Sequence, residues 1–493
     1  MHSDSIFLFC LEKNIETVAE HEAVMPFGEY QIKYCKKTPM VRTSSDNREL
    51  LIYGYAVNVL DGTAETLGEA ILASTHNIEE VISYEVSLGG KYLLFYRDAG
   101  GAYVIPDATA SIPFCYSTGG CQLVCASNSE EIAKKLSLQP DEKLRTIRRS
   151  GDVSQAMPYD LTVYKEIKQL LPNHYFSLSQ QKAIRFLNHK EKRHQLSPQE
   201  AAKLTAPMIE TLFGYYQKCF KLYCPITGGR DSRVVLSYML STQKDTEAYT
   251  IHHNEFTENT PDVCVPVALS KKLAFTHKCI TDIEPTLEQY AFFGEQFGNA
   301  GYSKRTLMIA NTIKTHYHDG AIINGDIIGQ VGKCSLHRDI PVAFATAKYF
   351  RCKLHNYSKA SAVILKDWIA DIKKSGEQVN LFDMFSMESR MGRWAVQENL
   401  IYAMVGQSYL NIFNSRSIVY PWTLVPRKER KHSCIHEEII RLKYPALLDV
   451  PYGGDGSKLK AIAKHNGLGY YIASFLKYYK ERLLFKHKRR NDS

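Results

Sequence analysis

No apolar run in the 493-residue sequence reaches the roughly 18–20 residues that span a bilayer, so no transmembrane segment is expected. The first hydrophobic stretch, Ile6-Phe7-Leu8-Phe9-Cys10-Leu11, is short and follows His2, Ser3 and Asp4 in place of basic residues. It reads as a first strand and not a signal peptide, and a cytoplasmic protein is expected. The 12 cysteines include no C-x-x-C pair. The densest group, Cys115, Cys121 and Cys125, fits no common zinc spacing and lies in strand-like sequence, where cysteine packs as a small hydrophobe. Reduced thiols are expected. Low-complexity tracts and internal repeats are missing too, and 44% hydrophobic with 23% charged residues is a globular composition.

What is present is length, an uneven charge and a change of pattern part-way along. A chain of 493 residues exceeds one hydrophobic core, so two or more domains are predicted. Up to about residue 190 the pattern is strand and turn. Leu50-Leu51-Ile52-Tyr53-Gly54-Tyr55-Ala56-Val57 and Tyr92-Leu93-Leu94-Phe95-Tyr96 are strand-like, Arg97-Asp98-Ala99-Gly100-Gly101 is a turn, and Ala102-Tyr103-Val104-Ile105 returns. After the polar linker Glu191-Lys192-Arg193-His194-Gln195, Ser197-Pro198-Gln199-Glu200 forms a capping box with proline at the first helical position. The predicted domains are 1–190 and 191–493. In the second, Ala248-Tyr249-Thr250-Ile251-His252 and Ala321-Ile322-Ile323-Asn324 are strands and 261–273 a helix, which predicts a parallel α/β sheet. From about 340 the pattern is mainly helical. The net charge of +9 gathers at the end, in Lys477, Lys480, Arg482, Lys486, Lys488, Arg489 and Arg490. Interleaved with Phe475, Leu476, Tyr478, Tyr479, Leu483, Leu484 and Phe485, they predict an amphipathic terminal helix. It either docks by its apolar face or contacts a partner: a membrane surface, an acidic peptide or nucleic acid.

The stretch Ile226-Thr227-Gly228-Gly229-Arg230-Asp231-Ser232-Arg233 stands between strand-like Leu222-Tyr223-Cys224-Pro225 and helix-like Val234-Val235-Leu236-Ser237-Tyr238-Met239-Leu240. A strand-to-helix junction presents free N–H groups and the positive dipole end of a helix, which favour an anion. Gly228 and Gly229 admit phosphate oxygens close to the backbone. Thr227 and Ser232 supply hydroxyl donors, Arg230 and Arg233 supply cations, and Asp231 is suited to the magnesium that accompanies a nucleotide. No Gly-Lys-Ser/Thr follows, so this is not a Walker loop.

The string resembles the Ser-Gly-Gly-x-Asp-Ser pyrophosphate loop of the N-type ATP pyrophosphatases, with Thr227 at the first serine. Other segments extend the likeness over nearly the whole chain to the asparagine synthetase-like family, which includes β-lactam synthetase and the lasso-peptide cyclases. They are Asp107-Ala108-Thr109-Ala110-Ser111-Ile112-Pro113-Phe114, Ala126-Ser127-Asn128-Ser129, Leu171-Pro172-Asn173-His174 with Asn for the usual Gly, and Arg390-Met391-Gly392-Arg393-Trp394-Ala395. The resemblance implies a strand-rich, Ntn-hydrolase-like glutamine-amidotransferase domain, α+β in class, over 1–190. It then implies an α/β ATP-pyrophosphatase domain with a helical C-terminal part over 191–493.

It further implies ATP and Mg2+ as ligands, with Thr227, Gly228, Gly229, Arg230, Asp231, Ser232, Arg233, Thr250 and Gly325 around the nucleotide. Asp231 and Asp326 are the implied metal-binding catalytic carboxylates. Asn324-Gly325-Asp326-Ile327 resembles the family's second metal segment, with Ile327 where many members have Glu; an aspartate capping a loop or helix is the plainer reading of Asp326. His252 and His253 are placed by position near adenine, and Lys428, Lys431 and Lys443 fall where the family keeps its catalytic lysine. A glutaminase of this class needs cysteine as its first mature residue. Position 2 is His2, so no glutaminase activity is expected. The implied reaction activates the carboxylate of a small molecule or peptide as an acyl-adenylate, releasing pyrophosphate. An amine of unknown source then forms an amide, lactam or amidine bond with loss of AMP. A tRNA-modifying ATP pyrophosphatase and a degenerate peptide- or nucleotide-binding scaffold remain as alternatives.

Overall fold

A computed structural model describes residues 4–120, 122–150, 157–186, 194–242, 245–375, 379–453 and 466–491. His2, Cys121 and most of the 191–195 linker lie outside the described residues.

The first half builds two antiparallel six-stranded sheets. One runs β10-β8-β9-β1-β3-β2, from Ile167–Gln169, Cys115–Ser117, Cys125–Ala126, Phe9–Glu12, Tyr30–Cys35 and Glu22–Phe27. The other runs β12-β11-β7-β6-β5-β4, from Lys182–Arg185, His174–Ser177, Gly101–Pro106, Leu88–Asp98, Arg48–Asn58 and Met40–Ser45. The period-2 alternation of the central strands splits their side chains between two cores. Leu51, Tyr53, Leu93, Phe95 and Val104 face the first sheet. Leu50, Ile52, Tyr92, Leu94 and Ile105 face the helices Leu67–Ser74 and Ile78–Glu85. With the helix Ser129–Lys135 on the far side of the first sheet, the result is four layers.

The second half opens with the helix Pro198–Cys219, which carries the capping box and the N-terminal proline its sequence predicts. A parallel five-stranded sheet follows, ordered β15-β14-β13-β16-β17, from Thr276–Thr281, Glu247–His252, Leu222–Pro225, Ala321–Asn324 and Ser408–Asn411. The chain moves outward from β13 through β14 to β15, then crosses back to β16. Strand order therefore reverses between β13 and β16, and ligands of such sheets bind at the carboxyl ends there. β15 and β17 have no counterpart in the sequence reading. A helical part closes the fold over a third core of Ile340, Tyr349, Phe350, Trp368, Phe382 and Phe385, against which Tyr470, Tyr471 and Phe475 of the terminal helix Gly467–Asn491 pack.

Buried polar contacts join the halves. Arg416 pairs with Glu85, both fully buried. Arg185 bonds Glu388 through two nitrogens at 2.5 and 3.1 Å. Arg393 of the Arg-Met-Gly-Arg-Trp segment donates to the carbonyls of Met157 and Leu161 and to Gln169. Asn173 is left-handed at φ 62° and donates through Nδ2 to Glu388, a backbone state asparagine tolerates better than most residues.

Candidate active site

The glycine loop leaves β13 at the reversal point, and Asp231 is the first residue of the helix Asp231–Thr242. The turn is internally tied. Thr227 N–H donates to Ser232 Oγ at 3.2 Å, Gly229 N–H to Thr227 Oγ1 at 3.2 Å and Gly228 N–H to Asp262 Oδ1 at 2.9 Å. Gly453 N–H donates to the Gly228 carbonyl at 2.9 Å. A carboxylate oxygen thus already sits on one of the amides an anion would use. A Cβ on Gly228 would stand 2.6 Å from the Pro261 carbonyl oxygen, so this position has no room for a side chain. Thr227 and Gly229 remain exposed.

Asp231 keeps 41% of its side chain accessible. His436 Nε2 lies 2.8 Å from its Oδ1. Burial pushes the Asp231 carboxyl up, but the hydrogen bond and charge of His436, with Lys333 and Arg230 nearby, outweigh it and leave the pKa below the ordinary aspartate value. A Cβ on Gly329 would lie 2.5 Å from Asp231 Oδ2, and one on Gly325 2.8 Å from the Asp231 carbonyl oxygen, so glycine at both positions lets the second loop close on the first.

Asp326 follows β16 at the same edge. Tyr409 OH donates to its Oδ2 at 3.2 Å, and its own N–H donates to Asn324 Oδ1 at 3.1 Å. Desolvation, with the charge of Asp231 adding to it, raises its pKa to about 6 against the pull of Tyr409 and Arg390. The two carboxylates therefore lie within each other's field. Glu398 extends this acidic pocket; burial and the charge of Asp326 raise it to about 8. Arg390, 4.3 Å over the Trp394 ring, lies within the field of both acids. Among the described residues no three His, Cys, Asp or Glu side chains converge into a ready-made metal cage.

Two residues expected at the nucleotide are turned elsewhere. Arg233 is wholly buried and donates to the carbonyls of Leu447, Val450 and Pro451 at 3.0, 2.6 and 3.3 Å. Its charge braces the C-terminal segment against the helix. Thr250 is buried as well, with Oγ1 donating to the Ile226 carbonyl at 2.7 Å and 2.9 Å from His277 Nε2. It supports the loop from beneath. His253 is paired with Asp282 at 2.9 Å. Arg230, by contrast, stays at the loop, 4.1 Å over the Tyr452 ring and 3.6 Å from Glu437.

Lys431 pairs with Asp339 at 2.7 Å, Lys443 pairs with Glu210, and Lys428 is exposed. The lysine whose charge reaches Asp231 is Lys333, just past the π-helical turn Ile328–Gly332. Sequence reasoning missed Lys333, His436, Tyr409 and Glu398. His436 lies in the helix Cys434–Lys443, in the same C-terminal stretch as Lys428, Lys431 and Lys443.

No family model and no curated protein matches the chain. Among solved structures it is similar to the NMN synthetase from Francisella tularensis, with 14% identity over 56% of this chain and 96% of that one, at a TM-score of 0.20. A glutamine phosphoribosylpyrophosphate amidotransferase from B. subtilis, complexed with ADP and GMP, has 10% identity over 78% and 91% at 0.24. A structure described as the allosteric regulatory enzyme of purine biosynthesis has 11% identity over 59% and 64% at 0.24. At these scores the chain overlaps none of them closely.

Proposed function

We propose that the chain is an ATP-dependent carbon–nitrogen ligase that activates a substrate carboxylate as an acyl-adenylate. The observation that carries this reading is the pair Asp231 and Asp326 at the carboxyl ends of adjacent parallel strands, beside a glycine turn at the reversal point of the sheet. Two carboxylates that resist ionising together, with hard oxygen donors, suit Mg2+, which is commonly held by one or two carboxylates with water and phosphate oxygens completing its shell. Bound there, it would neutralise triphosphate charge as pyrophosphate leaves.

The protein's own residues set the rest. The exposed Thr227 and Gly229 would receive the phosphates, while Arg230 and Lys333 would supply positive charge along the leaving group. His436 fixes Asp231 through Oδ1 and so orients its other oxygen. A substrate carboxylate oxygen attacks the α-phosphorus, and the phosphorus–oxygen bond to pyrophosphate breaks. An amine nitrogen then attacks the acyl carbon, AMP departs as the C–O bond to phosphate breaks, and the amine proton passes to a base or to solvent.

We also propose that the amine does not come from glutamine hydrolysed in the first domain. Cys10 is buried in β1, and burial pushes its thiol well above the ordinary range.

The reading is tested by screening carboxylates with ATP and Mg2+ and resolving the nucleotide products. AMP and pyrophosphate are expected, and Asp231→Ala should abolish both while keeping the melting temperature within a few degrees. ADP and phosphate in their place would refute adenylation.

A further inference from the structure

Away from the nucleotide loop, the terminal helix Gly467–Asn491 carries two apolar faces, and the fold uses one. On the docked face Tyr471 stacks on Tyr349 at 5.4 Å, Tyr478 OH donates to the Asn356 carbonyl at 3.0 Å, and Lys353 Nζ donates to Ser474 Oγ at 2.9 Å. On the other face Leu468, Ile472, Leu476, Tyr479, Leu483 and Leu484 are 41–66% exposed. The first five recur at steps of four, four, three and four residues, which sets them in one stripe about 22 Å long.

Charge follows the same helix. It holds seven Lys and Arg residues and one acid, Glu481. Glu481 lies 2.7 Å from His355 Nδ1 and 3.6 Å from Lys477 Nζ, a partly exposed pair that leaves the helix strongly cationic. Lys477 and Lys480 are exposed, and Lys486, Lys488, Arg489 and Arg490 occupy the last turns of the helix.

We infer that this helix lies on an anionic phospholipid surface, its stripe at the boundary of headgroups and acyl chains and its cations among the lipid phosphates. An aliphatic stripe beside a concentration of like charge is the pattern of interfacial helices. A nucleic acid would satisfy the cations but leave the leucines in water. A second copy would cover the leucines but bring the lysines of both helices to one seam. No helix among the described residues is long and apolar enough to cross a membrane, so the helix rests on the surface.

The test is co-sedimentation of the full chain with phosphatidylcholine vesicles, with and without phosphatidylserine. Sedimentation with the phosphatidylserine vesicles alone, released by high salt, is expected. Leu476→Asp with Leu483→Asp should abolish it at an unchanged melting temperature, because both side chains already face solvent. Lys477→Gln with Lys480→Gln should weaken the partition more than tenfold, at about fivefold per cation. Three results would overturn the inference: wild type remaining in the supernatant, the Asp pair still binding, or light scattering showing a dimer that the Asp pair dissolves.

Discussion

At the scale of single residues, burial and a neighbouring carboxylate set the charge state of the site. Asp326, raised from 3.8 to about 6, binds a proton in the folded state that the unfolded chain has released over that interval. Stability of the metal-free protein should therefore fall as pH rises from about 4 to 6. Asp326→Asn removes the fall, and should stabilise the metal-free protein by about 1–3 kcal/mol above pH 6 and by little near pH 4. If Asp326 holds Mg2+ as proposed, Mg2+ should raise the melting temperature of wild type and not of this variant, and the variant should lose nearly all AMP formation. Thermal denaturation over a pH series, with and without Mg2+, reads the first two effects. His436 acts through Asp231. His436→Ala should lower AMP formation by roughly ten- to a hundredfold, and His436→Gln, which can still donate to Oδ1, should recover part of it. Equal loss in both would mean that the ring matters for packing and not for the hydrogen bond.

Whole elements separate what was legible in the sequence from what was not. The glycine turn, the capped helix Pro198–Cys219 and the strands β13, β14 and β16 are written in local chemistry: glycine at a strand end, a cap three residues before its partner, runs of buried aliphatics. The edge strands β15 and β17 are not. Thr276–Thr281 buries Ile280 and leaves most of its neighbours exposed, and Ser408–Asn411 is four residues between helices. Side-chain direction was equally hidden. Asp231 and Arg233 stand two residues apart on one helix, so one faces the cleft and the other the interior. The approach of His436 to Asp231 spans 205 residues of sequence and has no local signature. This separation gives a test within one helix and its loop. Arg233→Met should lower stability by about 3 kcal/mol or more, since three carbonyls lose their donor, while Thr227→Ala should leave stability within about 0.5 kcal/mol and weaken ATP binding. Gly329→Ala should keep the fold but push Asp231 off its position, since the added Cβ would meet Oδ2 at 2.5 Å. A Gly329→Ala variant that responds to Mg2+ as wild type does would separate Asp231 from the proposed metal site.

Across the whole molecule the first half of the chain reaches toward Asp326 through Lys91, Thr109 and Ser111, which line one cavity with it. Lys91, on β6, is 3% exposed and donates through Nζ to Asn399 Oδ1 at 2.9 Å and to the Tyr409 carbonyl at 3.3 Å. Tyr409 in turn donates its hydroxyl to Asp326. Around this link Gly90 and Asn414 exchange hydrogen bonds, and Gly89 bridges Ser415. The first half of the chain, in which Cys10 is buried, thus still contacts the candidate site, through the strand that carries Lys91. Its position is costly: burial lowers the Lys91 pKa from 10.5 to about 7. The unfolded chain holds a proton there up to about pH 10, whereas the folded chain releases it near 7. Stability should therefore rise with pH between these values, and the penalty of the buried charge is fully present below pH 7. Lys91→Met should accordingly stabilise the protein by about 2–4 kcal/mol at pH 6, with the gain shrinking toward pH 10. If the link to Tyr409 matters, the same variant should lose kcat by roughly tenfold while KM for ATP stays nearly constant, because the glycine turn is untouched. A stabilised Lys91→Met enzyme with full kcat would make the lysine a relic of the domain seam and leave Tyr409 to hold Asp326 unaided.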